Sequence, residues 1–514
     1  MKFHLGLFTF LALTLFLPRL FTPDTFFIQD EQPWIDRSQL YINSLWEGDL
    51  NGAARYPLSN HPAIPLMTVV GPAMNFYGWY NGVEGTYGGW SVDDKMQAAV
   101  WARYVWGIAC SLALLLLYIC VRYLRVMTST PWQAALVVAL LGLEPWIWGI
   151  SRSVSVDVFM AIGVVGMLVS AAVAFENRSW HWPAISGAWF ALAFVSKSPA
   201  LITAPLALGL AVGLPNKDWR QWWYRIVAWL GAAYVAAMVL WPPFIIHPYE
   251  RLMDVLARAE LHSAAPESYY WPGVHPPLFI FTLSAFAFVG CLFYIGLRVV
   301  ETRRQKKFVW AGLDMVLVAG LFHGLTLLYL QGDHARKNLP VLALLAFVGA
   351  LGWVLVMRRF RVSWRFLVPA LLVLQGIFVW PYWPHVMTSY NRLFPSEAGK
   401  RLLVDIGNGS RLAADYINSQ PAAYVWATGM DSLILPYVDG DKRGLLRALP
   451  ADGKIMSLAD DVTHLLVPAS LPARVTFDPA AHMLLAELEG TKPIVIISVR
   501  DVPIFWVYQV ADLR

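Results

Sequence analysis

Residues 99–121, AVWARYVWGIACSLALLLLYICV, are an apolar run long enough to cross the ~30 Å hydrocarbon core of a bilayer as a single helix. Working outward, comparable runs fall at 3–22, 132–150, 156–175, 183–196, 200–214, 226–246, 276–297, 309–330, 338–357 and 366–384, giving eleven candidate spans. The pair 183–196 and 200–214 is short enough to be a hairpin that only dips into the bilayer. The composition agrees with a polytopic membrane chain. Hydrophobic residues make up 58% of the 514 and charged residues 14%, against about 25% charged in an ordinary globular protein. Twenty-five Trp, 21 Tyr and 27 Phe add the aromatic load of membrane–water interfaces.

The loops orient the spans. One set carries Lys2; Arg122 and Arg125; Arg178; Lys217, Arg220 and Arg225; Arg298, Arg303, Arg304, Lys306 and Lys307; Arg358, Arg359, Arg361 and Arg365. The opposite set begins with loop 23–98, which holds nine acidic residues. Lys and Arg accumulate on the cytoplasmic side, so the N-terminus is expected inside, with loop 23–98 and the last 130 residues outside. Residues 3–17 lead into Pro18-Arg19 rather than a small-residue cleavage site, so the first span is expected to be uncleaved. Segment 62–80 carries Pro62, Pro65 and Pro72. An interfacial helix is expected there, because crossing would move the acidic stretch 84–94 inside.

The expected domains are therefore a transmembrane unit, 1–384, and an extracytoplasmic unit, 385–514. In the second, turn signals return, a helical pattern covers 396–419, and β-rich runs fall at 423–428, 463–468, 493–499 and 503–510. Other classes are excluded. The net charge of +5 sits in short loops, so no nucleic-acid partner is expected. Cys110, Cys120 and Cys291 all lie in apolar runs, which leaves no disulfide framework or cysteine metal site.

Ionisable residues beside a bilayer are costly and usually functional. Five features on the expected outer side stand out. Asp30-Glu31, followed by Asp36-Arg37, offers a general base on a hydroxyl, or else a helix-capping acidic turn. Arg152 and Asp157 open an apolar helix, where Asp157 would at least favour the positive helix end. Lys197, at the tip of the short pair, is a snorkelling lysine or an anion ligand. Arg336-Lys337 offers a guanidinium fork and a point charge for phosphate. His61 and His275 sit in Pro- and aromatic-rich stretches and lack metal-ligand spacing.

In this order on one face, these motifs resemble the GT-C membrane glycosyltransferases, closest to the protein O-mannosyltransferase and aminoarabinose transferase-like group (glycosyltransferase family 39 and relatives). Asp30-Glu31 is similar to that family's external acidic opening, Asp157 to its Asp at the start of a later helix, and 187–197 to its Gly…Ser-Lys hairpin. Segment 333–340 resembles its Asp-x-Arg…Pro segment, and 382–399 its exit from the last helix. The resemblance implies a GT-C fold with about 11 transmembrane helices and a small C-terminal α/β unit. It implies inverting transfer of a hexosyl or pentosyl group from a polyprenyl-phosphate donor to a hydroxyl or amine of a glycan, lipid or protein, outside a bacterial plasma membrane. Asp30 would then be the base, tuned by Glu31, with Asp157 holding a cation or the acceptor. Lys197 and Arg336, or Lys337, would bind the donor phosphate, and Arg37, His61, Arg152 and His275 would line the acceptor groove. No cofactor is required, although some relatives use a divalent metal. Two other readings stand beside it: a transporter, which would place its charges near mid-membrane on broken, internally repeated helices rather than at one face, and a non-catalytic assembly protein, which would keep the architecture but not need the acidic pair.

Overall fold

The computed structural model describes residues 2–21, 31–56, 62–127, 131–177, 179–213, 219–245, 248–250, 282–306, 312–331, 338–361, 363–383, 385–388, 409–420, 423–426, 437–439, 441–443, 446–448, 454–458, 460–469 and 479–513, with single residues 253, 280, 393 and 434. Its helices are α1 (Lys2–Leu20), α2 (Glu31–Trp46), α3 (Ile64–Asn81), α4 (Val92–Arg122), α5 (Pro131–Gly142), α6 (Asp157–Asn177), α7 (His181–Ser196), α8 (Ala204–Val212) and α9 (Trp219–Leu240). They continue with α10 (Ala285–Gln305), α11 (Gly312–Gln331), α12 (Leu339–Arg359) and α13 (Trp364–Val379). Each of the eleven apolar runs contains a helix among the described residues, and five of these helices (α4, α6, α9, α10 and α12) are long and apolar enough to cross a membrane. The chain is a helical membrane protein.

Burial sorts the bundle. In α6, 94% of the apolar window is buried inside the protein, and in α12 83%, against 22% in α9 and 28% in α10. Helices α6 and α12 are therefore the centre, and α9 and α10 keep most of their apolar surface for lipid. Missing Cβ atoms set the closest crossings. A methyl on Gly349 or Gly352 would collide with the backbone of Ala287 or Gly290, so α10 and α12 touch main chain to main chain, running in the same direction.

Two expectations are corrected in detail. The run 132–150 is not one span: it breaks at Glu144-Pro145 into α5 and a six-residue helix, Pro145–Ile150. Proline lacks the N–H needed to continue α5 and pushes the residue before it out of helical geometry, as Glu144 shows at φ −58, ψ 126. The pair 183–196 and 200–214 does more than dip. Helix α7 runs antiparallel along α6, with Gly163 against Ala193 and Gly166 against Trp189, so it follows the depth of the central helix. The chain returns through a 3-10 turn, Ser198–Ile202, and α8, whose last carbonyls at Ala211 and Val212 accept from the buried Arg225 guanidinium at 3.2 and 3.5 Å.

Segment 62–80 is α3. It packs on α2 through Gly71, where a Cβ would strike the Ser38 carbonyl, and its first N–H lies beside the end of α7, Ala63 N donating to Ser196 O at 3.2 Å. The C-terminal unit holds α14 (Ser410–Asn418), α15 (Pro479–Glu487) and five strands, β1 (Ala423–Trp426), β2 (Leu446–Ala448), β3 (Val462–Pro468), β4 (Val495–Val499) and β5 (Val502–Gln509). The sheet order is β2-β1-β3-β5-β4, parallel across β2-β1-β3 and antiparallel across β3-β5-β4. Strand β2 lies outside the expected β-rich runs, and of the expected helix 396–419 only its second half falls on described residues. The unit shares one apolar core with the helices: Ala413, Ile417, Val438 and Ile504 belong to the same buried cluster as Trp34, Ile35 and Trp90.

Candidate active site

The first turn of α2, the entry to α6 and the exit of α7 meet at one end of the bundle, and two buried ion pairs form there. Glu31 has no solvent-exposed surface. Its Oε1 accepts from Arg103 Nε at 2.7 Å and from the Val154 N–H at 3.0 Å, and its Oε2 accepts from Arg103 Nη2 at 2.8 Å. The planar guanidinium thus grips both carboxylate oxygens, a geometry lysine could not reproduce. The capping-turn reading of Glu31 is replaced by this one, because its carboxylate bonds to α4 and to the entry of α6.

Asp157 opens α6, and its Oδ1 accepts from Lys197 Nζ at 2.6 Å. Its Oδ2 accepts from Ser155 Oγ at 3.1 Å. Lys197 follows α7 in an extended conformation, φ −160, ψ 135, which turns its side chain back across the end of α6. The side chains of Lys197 and Asp157 are 6% and 2% exposed, so this lysine does not snorkel. Asp157 is both the negative residue at a positive helix end and the partner of Lys197. The Val154 N–H holds Glu31 and Asp157 holds Lys197, so both pairs are anchored on one short segment with only Ser155 and Val156 between the two contact points.

Arg152, on the same segment, is buried with its guanidinium over the Trp383 ring at 5.0 Å, and Trp383 packs on Trp148 at 5.2 Å. His385 sits beside this group. Burial first, then the Arg152 and Arg411 charges, push its imidazole down from the usual 6.5 to about 4. Arg37 lies nearly two turns along α2 from Glu31, half-buried, over its own Trp34 at 5.5 Å. The C-terminal unit closes over this end. Arg443 pairs with Asp93 at 3.0 Å, and Tyr437 comes within electrostatic reach of Arg103.

Asp30, His61, His275, Arg336 and Lys337 lie outside the described residues. The sequence flags Glu31, Asp157, Lys197 and Arg152, and the structure brings the first three into two pairs on one segment. It passes over Arg103 and Glu144. For Arg103 the available signal is a lone charge inside the run 99–121. Glu144 is buried where an unbroken span was expected, its Oε1 accepting from Ser284 N at 2.8 Å and its Oε2 from Ser284 Oγ at 2.7 Å, so that it holds the residue whose hydroxyl caps α10. Among the described residues no group of three His, Cys, Asp or Glu could hold a metal ion, and Glu31 and Asp157 each already face a cation.

This is a helical membrane protein whose buried charge pairs converge at one end of the bundle. Residues 92–247 match the family model described as dolichyl-phosphate-mannose-protein mannosyltransferase. That segment contains Arg103, Arg152, Asp157 and Lys197, and the chain's resemblance to this family of membrane glycosyltransferases rests on it. No curated protein matches the chain. Among solved structures, archaeal oligosaccharyltransferase AglB from Archaeoglobus fulgidus, in complex with an inhibitory peptide and a dolichol-phosphate, is 13% identical at TM-score 0.47, over 94% of this chain and 72% of that one. ArnT from Cupriavidus metallidurans in the apo state is 13% identical at TM-score 0.46, over 100% of this chain and 98% of that one. The same protein bound to undecaprenyl phosphate gives 13% and 0.42, over 100% and 99%.

Proposed function

We propose that the chain is a polyprenyl-phosphate-sugar-dependent glycosyltransferase that moves a hexosyl or pentosyl group, with inversion, onto an acceptor hydroxyl or amine at the outer face of the cytoplasmic membrane. The observation that carries this reading is that Val154 and Asp157, inside the stretch 92–247 that matches the family described as dolichyl-phosphate-mannose-protein mannosyltransferase, anchor two buried ion pairs, Glu31–Arg103 and Asp157–Lys197, on one short segment. A donor carried on a lipid must be met beside the bilayer, and its phosphate needs cations there.

The acceptor oxygen or nitrogen attacks the anomeric carbon from the face opposite the phosphate, and the carbon–oxygen bond to phosphate breaks. The electron pair leaves with the phosphate, whose added charge is offset by Lys197 and by Arg336 or Lys337. A phosphate so compensated leaves without a general acid. The acceptor proton passes to a carboxylate, and Asp30 is that base. Glu31, the next residue, is fixed by Arg103 and Val154, which gives the base a rigid neighbour on its own backbone. Asp157 holds Lys197 where the phosphate arrives. Arg152 and Arg37, with His61 and His275, line the acceptor side, and the C-terminal unit contributes to acceptor recognition.

The test is donor consumption in proteoliposomes containing the wild-type protein and radiolabelled polyprenyl-phosphate sugars. Consumption of one donor supports the reading and names the sugar. A folded protein that consumes none of a full donor panel moves the reading to a membrane assembly protein.

A further inference from the structure

Where the C-terminal unit meets the bundle, two arginines from different units flank a buried histidine. Arg152 follows the helix Pro145–Ile150 and is 2% exposed, with its guanidinium 5.0 Å from the Trp383 ring centre. His385 lies two residues beyond Trp383, ahead of a 3-10 turn, Val386–Thr388, that packs on the helix Pro145–Ile150. Its carbonyl accepts from Thr388 N at 2.9 Å and from Thr388 Oγ1 at 2.7 Å, which fixes the backbone that carries the imidazole. Arg411 is the second residue of α14, on the C-terminal unit, and is exposed. Both guanidinium charges act on the His385 imidazole, and among the described residues no carboxylate does.

His385 is 7% exposed, and its Nδ1 is buried with no hydrogen-bond partner among the described residues. A buried polar nitrogen left unpaired is costly, and folded proteins hold few of them. The start of α14 adds charge of the same sign. Gly409 stands at that end with φ 79, and no side chain caps it, so a positive helix end lies beside Arg411.

Two guanidiniums, a helix end and an unpartnered imidazole are groups that bind phosphate. Each guanidinium offers a planar fork to two oxygens, the helix end offers N–H groups, and the imidazole has a nitrogen to donate. A phosphate has oxygens pointing in several directions, enough to meet groups that arrive from three elements at once. A chloride has not. The neighbouring cation Lys197 differs, because its charge already faces Asp157.

We propose that Arg152, His385 and Arg411 form an anion site that takes a phosphate group at the junction of the two units, separate from the donor phosphate that Lys197 offsets. The site rests on this junction and stands whether or not the chain transfers a sugar. Purified full-length protein in detergent is equilibrated with radiolabelled inorganic phosphate at constant ionic strength, and bound label is measured against free. Wild type should bind phosphate saturably, and chloride should not displace it. Arg411→Gln, at an exposed position that leaves the fold intact, should weaken this binding about tenfold, the worth of one charge-assisted hydrogen bond. His385→Asn should weaken it as well. Lys197→Met should retain it, which separates the site from the Lys197–Asp157 pair. Unlabelled polyprenyl phosphate then assigns the source. Displacement of label from Lys197→Met gives the site to a lipid phosphate, and label that stays bound gives it to the free ion. No saturable binding by folded wild type would overturn the site. So would equal affinity in wild type and Arg411→Gln, or a loss confined to Lys197→Met.

Discussion

Both ends of the bundle hold ion pairs, and their surroundings differ. At the α2–α6–α7 end, Arg103–Glu31 is 1% and 0% exposed, and Lys197–Asp157 is 6% and 2%. At the opposite end, Arg298 grips Asp314 through Nε at 2.9 Å and Nη2 at 2.7 Å, with Tyr294 donating to the same carboxylate at 2.8 Å. There the exposures are 18% and 9%, and Arg298 also reaches the half-exposed Glu301. An ion pair near water needs no special reason to exist. Two fully buried pairs carry desolvation costs that well-packed apolar residues would avoid, so their presence together points to use beyond stability.

The comparison breaks most severely at Arg103. Replacing it with Met leaves the Glu31 carboxylate buried against the Val154 N–H without its cation, and should cost about 3–5 kcal/mol. Thermal unfolding in detergent would show a large drop in midpoint, and Arg103→Met/Glu31→Leu together should recover most of it. A double variant no more stable than the single would mean that the pair's geometry, rather than its charge balance, holds α2 in place.

Lys197→Met should reduce donor turnover about 100-fold, the usual loss when one group stabilising developing charge is removed. Asp157→Asn keeps the lysine and should lose less. Equal losses would make the pair structural only.

The His385 group can be tuned by pH. Its imidazole titrates near 4 in the folded protein against 6.5 when free, so on acidification the unfolded chain takes up the proton first. Stability should be unaffected above pH 7, then fall as pH drops through 6.5, by about 2 kcal/mol at pH 5. The His385→Asn variant should lack that part of the acid loss, which a comparison of unfolding midpoints at pH 7.5 and pH 5 would detect.

At the opposite end, Arg298→Met should cost less, about 2 kcal/mol, because the buried Asp314 carboxylate keeps the hydrogen bond that Tyr294 donates. A loss as large as that at Arg103 would erase the contrast between the two ends.

Much of this arrangement was legible in the residues. Among the described residues, the apolar runs located all five helices long and apolar enough to cross a membrane, because hydrocarbon allows few alternatives to helix at that length. Helix ends within those runs were not legible: Glu144-Pro145 divides one span, yet its Glu is satisfied by Ser284, 140 residues away. Lys197 stands out in the sequence because the expected topology sets it against the charge bias, and the structure pairs it with Asp157. Arg103 escaped notice because a single charge barely changes the hydropathy of a run of that length. Its partner lies 72 positions earlier, a pairing that only the packing of α2 on α4 reveals. Strand β2, three residues long, has no pattern of its own and exists because β1 offers it an edge.

The central claim is that this end of the bundle transfers a sugar with Asp30 as base. The most direct measurement compares initial rates of donor consumption by wild type and Asp30→Asn in matched proteoliposomes, with equal insertion verified by protease protection. The account predicts consumption by wild type and none above background by the variant. Equal rates for the two proteins would contradict it.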